Sequence, residues 1–195
     1  MASLVSDQAL ATQKRAGMKL LVCFFCLIFA LPAWSQKGVF LSAEDFQRQA
    51  FADQESSLQV LWLTRELRAQ AESILGHSFG GLRVRYWASG ERTAWVFEEI
   101  GKELPITVGV VVDNNGIALL SILEYRESRG GEVRYPFFTE QFQRLALVKT
   151  SGKPKLDGPI DGITGATLSV RAVKKVATLA LLFHDKTLRT VSLEK

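Results

Sequence analysis

Little of the chemistry from which most enzyme sites are built is present in this chain. Of its 195 residues, two are cysteine and two are histidine. Both cysteines, Cys23 and Cys26, lie inside an N-terminal apolar run, so their Cys-x-x-Cys spacing reads as part of a targeting segment and not as a redox pair. His77 and His184 are far apart in the sequence and each reads as a surface or helix-end residue. With no cysteine beside them, a zinc site of ordinary composition cannot be assembled. Neither Gly-x-Gly-x-x-Gly after a strand nor Gly-x-x-x-x-Gly-Lys-Ser/Thr occurs, which removes the usual sequence support for nicotinamide or nucleoside triphosphate binding. Internal repeats and low-complexity tracts are also lacking.

The first 35 residues have the layout of a secretory signal. Lys14, Arg15 and Lys19 form a basic region, residues 20–31 are apolar, and Ala33-Trp34-Ser35 places small residues where signal peptidase cuts, so cleavage is expected after Ser35. The apolar run is short for a bilayer span, which takes about 20 residues. Val22 and Phe25, which precede the cysteines, are too large for a lipoprotein cleavage site, and Met18 offers an alternative start. The whole chain has a formal charge of +4; the leader holds three Lys or Arg and one Asp, so the remainder carries 21 basic and 19 acidic side chains. That near balance, with no basic stripe interleaved with aromatics, argues against a nucleic-acid partner. The expected location is periplasmic or otherwise extracytoplasmic.

After the leader the apolar spacing is first helical. Residues 40–51 read as a short amphipathic helix started by Ser42 and burying Phe46, Ala50 and Phe51. Residues 62–75 read as a second helix with Trp62, Leu63, Leu67, Ala71 and Ile74 inward, stopped by Gly76. From Gly81 the period changes to two: residues 82–87 and 94–97 pair across a Ser89-Gly90 turn. The nearly continuous apolar run 106–112 reads as a strand buried on both faces. Asn114-Asn115-Gly116 then turns the chain back into a strand at 117–125, for at least four strands in all. Residues 136–145 suggest a helix with Phe137, Phe138, Phe142 and Leu145 buried, residues 149–159 a loop, and residues 168–183 a last helix packed on the sheet through Val170, Val173, Ala177 and Ala180. Lys174 and Lys175 fall on its wet side.

The most specific stretch is Asp161-Gly162-Ile163-Thr164-Gly165-Ala166-Thr167, at the mouth of that last helix. Glycines allow a tight bend, and the first N–H groups of a helix have no intrahelical partner, so the Thr167 hydroxyl is offered where an anion would rest. Thr164 or Thr167 could equally serve as a plain helix cap, although neither has the Glu or Gln three residues on that completes a capping box.

Asp161-x-x-Thr164-Gly165-Ala166-Thr167 resembles the flavinylation motif of the FMN-binding domain found in the C subunit of sodium-translocating NADH:quinone oxidoreductase and the G subunit of the Rnf complex. Its five specified positions would meet by chance at roughly one in a million starting points. The resemblance implies that Thr167 carries FMN through a phosphoester bond installed by a flavin transferase using FAD. It implies contacts from Asp161, Thr164, Gly165, Ala166 and Leu168 around the attachment point. A Gly-containing loop follows the preceding strand in that family and lies against the flavin; here it is Glu127-Ser128-Arg129-Gly130-Gly131, without the family's proline and with adjacent glycines, which assigns Glu127, Gly130 and Gly131 to the cofactor. A solvated, charge-rich turn is the blander reading of the same loop. The likeness runs from about Gly81 to His184 and implies an α+β fold, a curved, mainly antiparallel sheet packed by helices. The expected organisation is therefore a leader at 1–35, an N-terminal helical segment at 36–80 and an FMN-binding domain at 81–195.

With no second cofactor motif or separate catalytic domain, the chain is expected to be an electron-carrying flavoprotein beside a membrane redox partner, and not a complete enzyme. A redox-sensing or maturation module for a membrane regulator and a cofactor-free exported binding domain are the alternatives. Gly76-His77-Ser78-Phe79-Gly80, followed by Asp161 and His184, has the order of a hydrolase triad, but its Ser is led in by a helix and followed by a strand, the reverse of a nucleophile elbow. Glu98, Glu99 and Lys102 form a polar cluster before Pro105, read as a turn or as a flavin edge.

Overall fold

The computed structural model describes residues 38–52, 54–148 and 152–193, with side chains to residue 188. The expected leader and its cleavage site lie outside the described residues. Among the described residues, eight strands, four α-helices and two 3-10 turns follow in order. They are β1 (Gly38–Val39), α1 (Ala43–Phe51), β2 (Ser57–Trp62), α2 (Arg65–Leu75), β3 (Arg83–Ser89), β4 (Arg92–Ile100), β5 (Pro105–Asp113) and β6 (Gly116–Tyr125). After a 3-10 turn at Gly131–Arg134 come α3 (Pro136–Thr139), a second 3-10 turn at Glu140–Phe142, β7 (Leu147–Val148), β8 (Lys155–Leu156) and α4 (Thr167–Leu193).

Six strands form one antiparallel sheet in the order β1-β6-β5-β4-β3-β2. Alternation along the central strands sends side chains to two different cores. Trp95, Val108, Val110, Leu120 and Ile122 face α4 and α2, where they meet Val173, Val176, Ala177 and Phe183. Ala94, Val111 and Leu123 face the other way and are covered by Phe46, Ala50 and Phe51 of α1. This is why β5 is apolar on both sides, as its sequence implies. The α+β class and the mainly antiparallel sheet agree with expectation.

Three local differences have identifiable causes. Residues 57–62 are a strand and not the lead-in to a helix: Ser-Leu-Gln-Val-Leu-Trp pairs with β3 from Ser57↔Ala88 to Trp62↔Arg83. The helix begins only after Thr64, whose Oγ1 accepts from the Leu67 N–H at 3.2 Å. Trp62 is consequently 64% exposed beneath the Arg83 guanidinium, while Leu63, Leu67, Ala71 and Ile74 are buried as expected. Segment 36–80 thus contributes two strands to the main sheet besides its two helices. The expected helix at 136–145 is a single α-turn followed by a 3-10 turn, and Arg144 adopts a positive φ of 64°. Phe138 and Phe142 are buried, whereas Phe137 is 60% exposed. The last helix starts at Thr167 and is 27 residues long. No helix among the described residues is long and apolar enough to cross a membrane.

His184 is not at the surface. It is 5% exposed, with Nδ1 2.8 Å from Thr93 Oγ1. Trp95 Nε1 donates to the same oxygen at 2.8 Å, leaving the threonine proton free to go to a neutral imidazole. Burial pushes the His184 pKa down against the raising pull of Asp113, Asp185 and Glu91. A histidine committed to Thr93 inside the core cannot act as a base for the exposed Ser78, and the hydrolase order carries no assembled triad.

Candidate functional site

The motif forms a bend that ends in a helix. Ala166 N donates to Ile163 O at 2.9 Å, and Gly165, at the third position of this turn, has φ +83°. That is the geometry of a type II turn, which demands glycine at this place. Val170 N then donates to Ala166 O at 2.9 Å, making Ala166 the N-cap of α4. A methyl side chain supplies no oxygen to the first helical N–H groups, and the first turn contains no acidic residue. The positive end of the helix is therefore open to an external anion. Thr167 occupies the first helical position and is exposed, as are Asp161, Thr164, Gly165 and the neighbouring Leu168; Ala166 is buried. The plain-cap reading of Thr164 and Thr167 does not match this geometry, since the cap position itself belongs to Ala166.

Thr167 opens on a cleft of about 620 Å³ between α4, the end of α2 and the segment leading to the motif. Lys153, Lys155, Arg171, Lys174 and Lys175 line it, with no carboxylate among its lining residues. Spacing on α4 explains the alignment: positions 167, 171, 174 and 178 recur every three or four residues and so share one helical face. Ile74, Ile160 and Val170 provide an apolar wall. Phosphate recognition combined with apolar contact is the chemistry this surface offers. The two lysines expected on a solvated face, Lys174 and Lys175, instead line the cleft.

The Gly-Gly loop is brought against the motif from the other side. Tyr125, the last residue of β6, donates its hydroxyl to Arg129 O and lies 2.9 Å from Ser169 Oγ in the first turn of α4. Gly130 has φ +85°, and a Cβ there would stand 3.0 Å from Ser169 Oγ and 3.2 Å from Ala166 Cβ. The loop and the helix start are thus in direct contact through Gly130, while Gly131 begins the following 3-10 turn.

Glu127 points elsewhere. Its Oε1 accepts from the N–H groups of Lys102, Glu103 (2.7 Å) and Leu104 (3.0 Å), closing the turn between β4 and β5. Partial burial works against its ionisation, but these three donors outweigh it and hold the carboxyl below its ordinary range. Asp161 is fixed through its backbone, whose N–H donates to Gln141 Oε1 at 2.8 Å; Gln141 in turn donates to Phe137 O.

One ionic group was not legible as such in the sequence. Glu99 is 3% exposed on the α4 side of β4 and is held by two basic side chains, Lys175 Nζ at 2.7 Å from Oε1 and His77 Nε2 at 2.9 Å from Oε2. His77 Nδ1 lies 3.1 Å from Ser78 O, so both ring nitrogens face acceptors and the doubly protonated ring is favoured. The hydrogen bond His77 donates to Glu99, with that to Ser78 O, pushes its pKa up. Glu98, by contrast, lies on the opposite face, where Thr107 and Arg126 donate to it. The polar cluster before Pro105 therefore divides between the two sides of the sheet.

Comparison with known proteins agrees with this arrangement. No curated protein and no solved structure matches the chain. Residues 101–182 match the family model of the FMN-binding domain, a stretch that takes in β5, β6, the Gly130 loop, the cationic cleft and the first four turns of α4. The open helix start and the basic side chains of the cleft thus lie within the stretch, residues 101–182, that is similar to the FMN-binding domain family.

Proposed function

We propose that the protein carries FMN covalently on Thr167 through a phosphoester bond and passes electrons to or from a membrane redox partner outside the cytoplasm. The observation that carries this reading is the exposed Thr167 hydroxyl at an uncapped, acid-free helix start, inside a cleft lined by five basic side chains. The residues fit the group: the open N–H groups of α4, with Arg171 and Lys174, suit a phosphodiester, and the apolar wall suits a planar ring. When bound, FMN supplies one- and two-electron chemistry. The chain's own part is to hold the phosphate, shield one side of the ring and keep the Gly130 loop seated on the first turn of α4. A tether also prevents loss of the cofactor into a dilute compartment. Loading requires a flavin transferase as a transient partner.

Expression of the full chain with an FAD-dependent flavin transferase, followed by intact-mass and peptide analysis, tests the attachment. The expected product is larger by one FMN less water, with the added mass on the peptide containing Thr167. An unmodified, colourless protein, or covalent flavin retained after Thr167→Ala, would overturn the assignment. A regulator module remains the alternative, favoured if reduction of the bound flavin changes partner affinity and not electron flux alone.

A further inference from the structure

A carboxylate buried beneath a helix is costly unless it is fully paired, and replacing such a pair by apolar side chains is often neutral or stabilising. Glu99 is therefore an expensive way to join α4 to β4 if adhesion is its only task. Its geometry suggests another one. Oε1 takes the Lys175 ammonium and Oε2 takes His77, so each carboxylate oxygen has a partner and the lysine stem is held in one place. Lys175 is also the point at which this buried network reaches the cleft: its side chain is 26% exposed and lines the surface that Thr167 opens on. Along α4, Lys175 lies eight positions after Thr167, a rise of about 12 Å at about 1.5 Å per residue. The apolar wall of Ile74, Ile160 and Val170 belongs to the same cleft.

We propose that Lys175 is the cation that faces the flavin ring, that Glu99 is its positioning residue, and that together they raise the reduction potential of the bound cofactor. The inference rests on the attachment at Thr167 argued above. A ribityl phosphate anchored at Thr167 would be held by the first turn of α4 with Arg171 and Lys174, and a ring placed further along the same cleft would come within reach of Lys175. When bound, FMN would take up two electrons and one proton and so gain one negative charge. A fixed cation in a partly desolvated site favours that state over the neutral oxidised ring. An ammonium on a free, four-carbon stem would be hydrated and would give much less. Glu99 thus exchanges some of the lysine's charge for a defined position. His77 returns part of that charge, because its two acceptors favour the imidazolium form.

The test uses the flavin-loaded full chain and measures the midpoint potential by titration with dithionite against a reference dye, followed by flavin absorbance. Lys175→Met is expected to lower the potential by at least a tenfold change in the two-electron equilibrium, about 30 mV. Lys175→Arg is expected to restore most of it. In a Glu99→Gln background the effect of Lys175→Met should collapse, because an unheld lysine has little left to lose; equal shifts in both backgrounds would overturn the positioning role of Glu99. A loaded Lys175→Met protein with an unchanged potential would overturn the proposal while leaving the Thr167 attachment intact. Absence of flavin from Thr167 in the parent protein would instead remove the attachment, and this inference with it. Lys175→Arg keeps the charge against Glu99, so its potential remains readable even if Lys175→Met unfolds; a potential at the unheld, Glu99→Gln value in that variant would also count against the assignment.

Discussion

The Tyr125 hydroxyl and Ser169 Oγ stand 2.9 Å apart, joining the end of β6 to the first turn of α4. The same phenol donates to Arg129 O, so a single side chain fixes the loop, the strand and the helix start relative to one another. Removing it takes a donor from the Arg129 carbonyl and leaves the buried Ser169 short of a partner. Tyr125→Phe is expected to cost about 1–3 kcal/mol in chemical denaturation. A smaller loss than that of Ser169→Ala would show that the phenol is not the joint.

The two glycines that follow are not equivalent. At Gly130 any side chain meets both a positive φ of 85° and Tyr125 Oη at 2.8 Å, whereas the nearest atoms to a Cβ on Gly131 are Tyr125 ring carbons at 3.7 Å. Gly130→Ala should therefore destabilise by more than about 1 kcal/mol and displace the loop from α4, and Gly131→Ala should stay within about half of that. Parallel thermal melts of the two variants check the ordering.

Thr167 itself is exposed and its hydroxyl caps nothing at Ala166's position. Thr167→Ala is expected to change stability by no more than about 0.5 kcal/mol while abolishing covalent flavin. Thr167→Ser keeps a hydroxyl and should retain some modification by intact mass.

The cationic cleft should distinguish a phosphate from its absence. In the Thr167→Ala protein, where binding is reversible, Arg171→Ala with Lys174→Ala should weaken FMN by at least tenfold and leave riboflavin nearly unchanged, as charge-assisted hydrogen bonds contribute about 1.5–3 kcal/mol each. Fluorescence titration of both ligands at two salt concentrations reads the effect; equal losses for both would place the phosphate elsewhere.

His184 gives a pH dependence with a defined sign. Its pKa is lowered in the fold, so the unfolded chain binds the proton more readily. The stability it supports is fully present above the unfolded value of about 6.5 and is lost as pH falls through the folded one. His77 acts in the opposite sense: its raised pKa gives stability that is present below the unfolded value and fades as pH rises through the folded one. Denaturation of His184→Gln and His77→Gln between pH 5 and about pH 8 should therefore flatten opposite ends of the wild-type profile.

What the sequence disclosed was mostly local. Ser42 and the Phe46, Ala50, Phe51 spacing suffice to place α1, and a nearly continuous apolar run with the Asn-Asn-Gly turn after it suffices for β5 and β6, because a cap, a stripe or a turn is written within a few residues. The glycine-threonine bend is equally compact. β2 was hidden because Trp62 and Leu63 continue the helical spacing of α2, and only its pairing with β3 separates the two elements. His184 was misplaced for a similar reason: nothing beside it in sequence announces Thr93 and Trp95 on a distant strand. The Lys175–Glu99–His77 group joins α4, β4 and the segment after α2, so no single stretch contains it.

Helix α4 presents two surfaces under opposite constraints. Val173, Val176, Ala177 and Ala180 are wholly buried against the sheet and tolerate little change of volume. Arg171 and Lys174, on the side that meets the cleft, can be exchanged with no repacking beneath them. Descendants of this domain could thus retune their affinity for electrons, or the company they keep, by editing one rim of a single rod while the scaffold behind it stays the same.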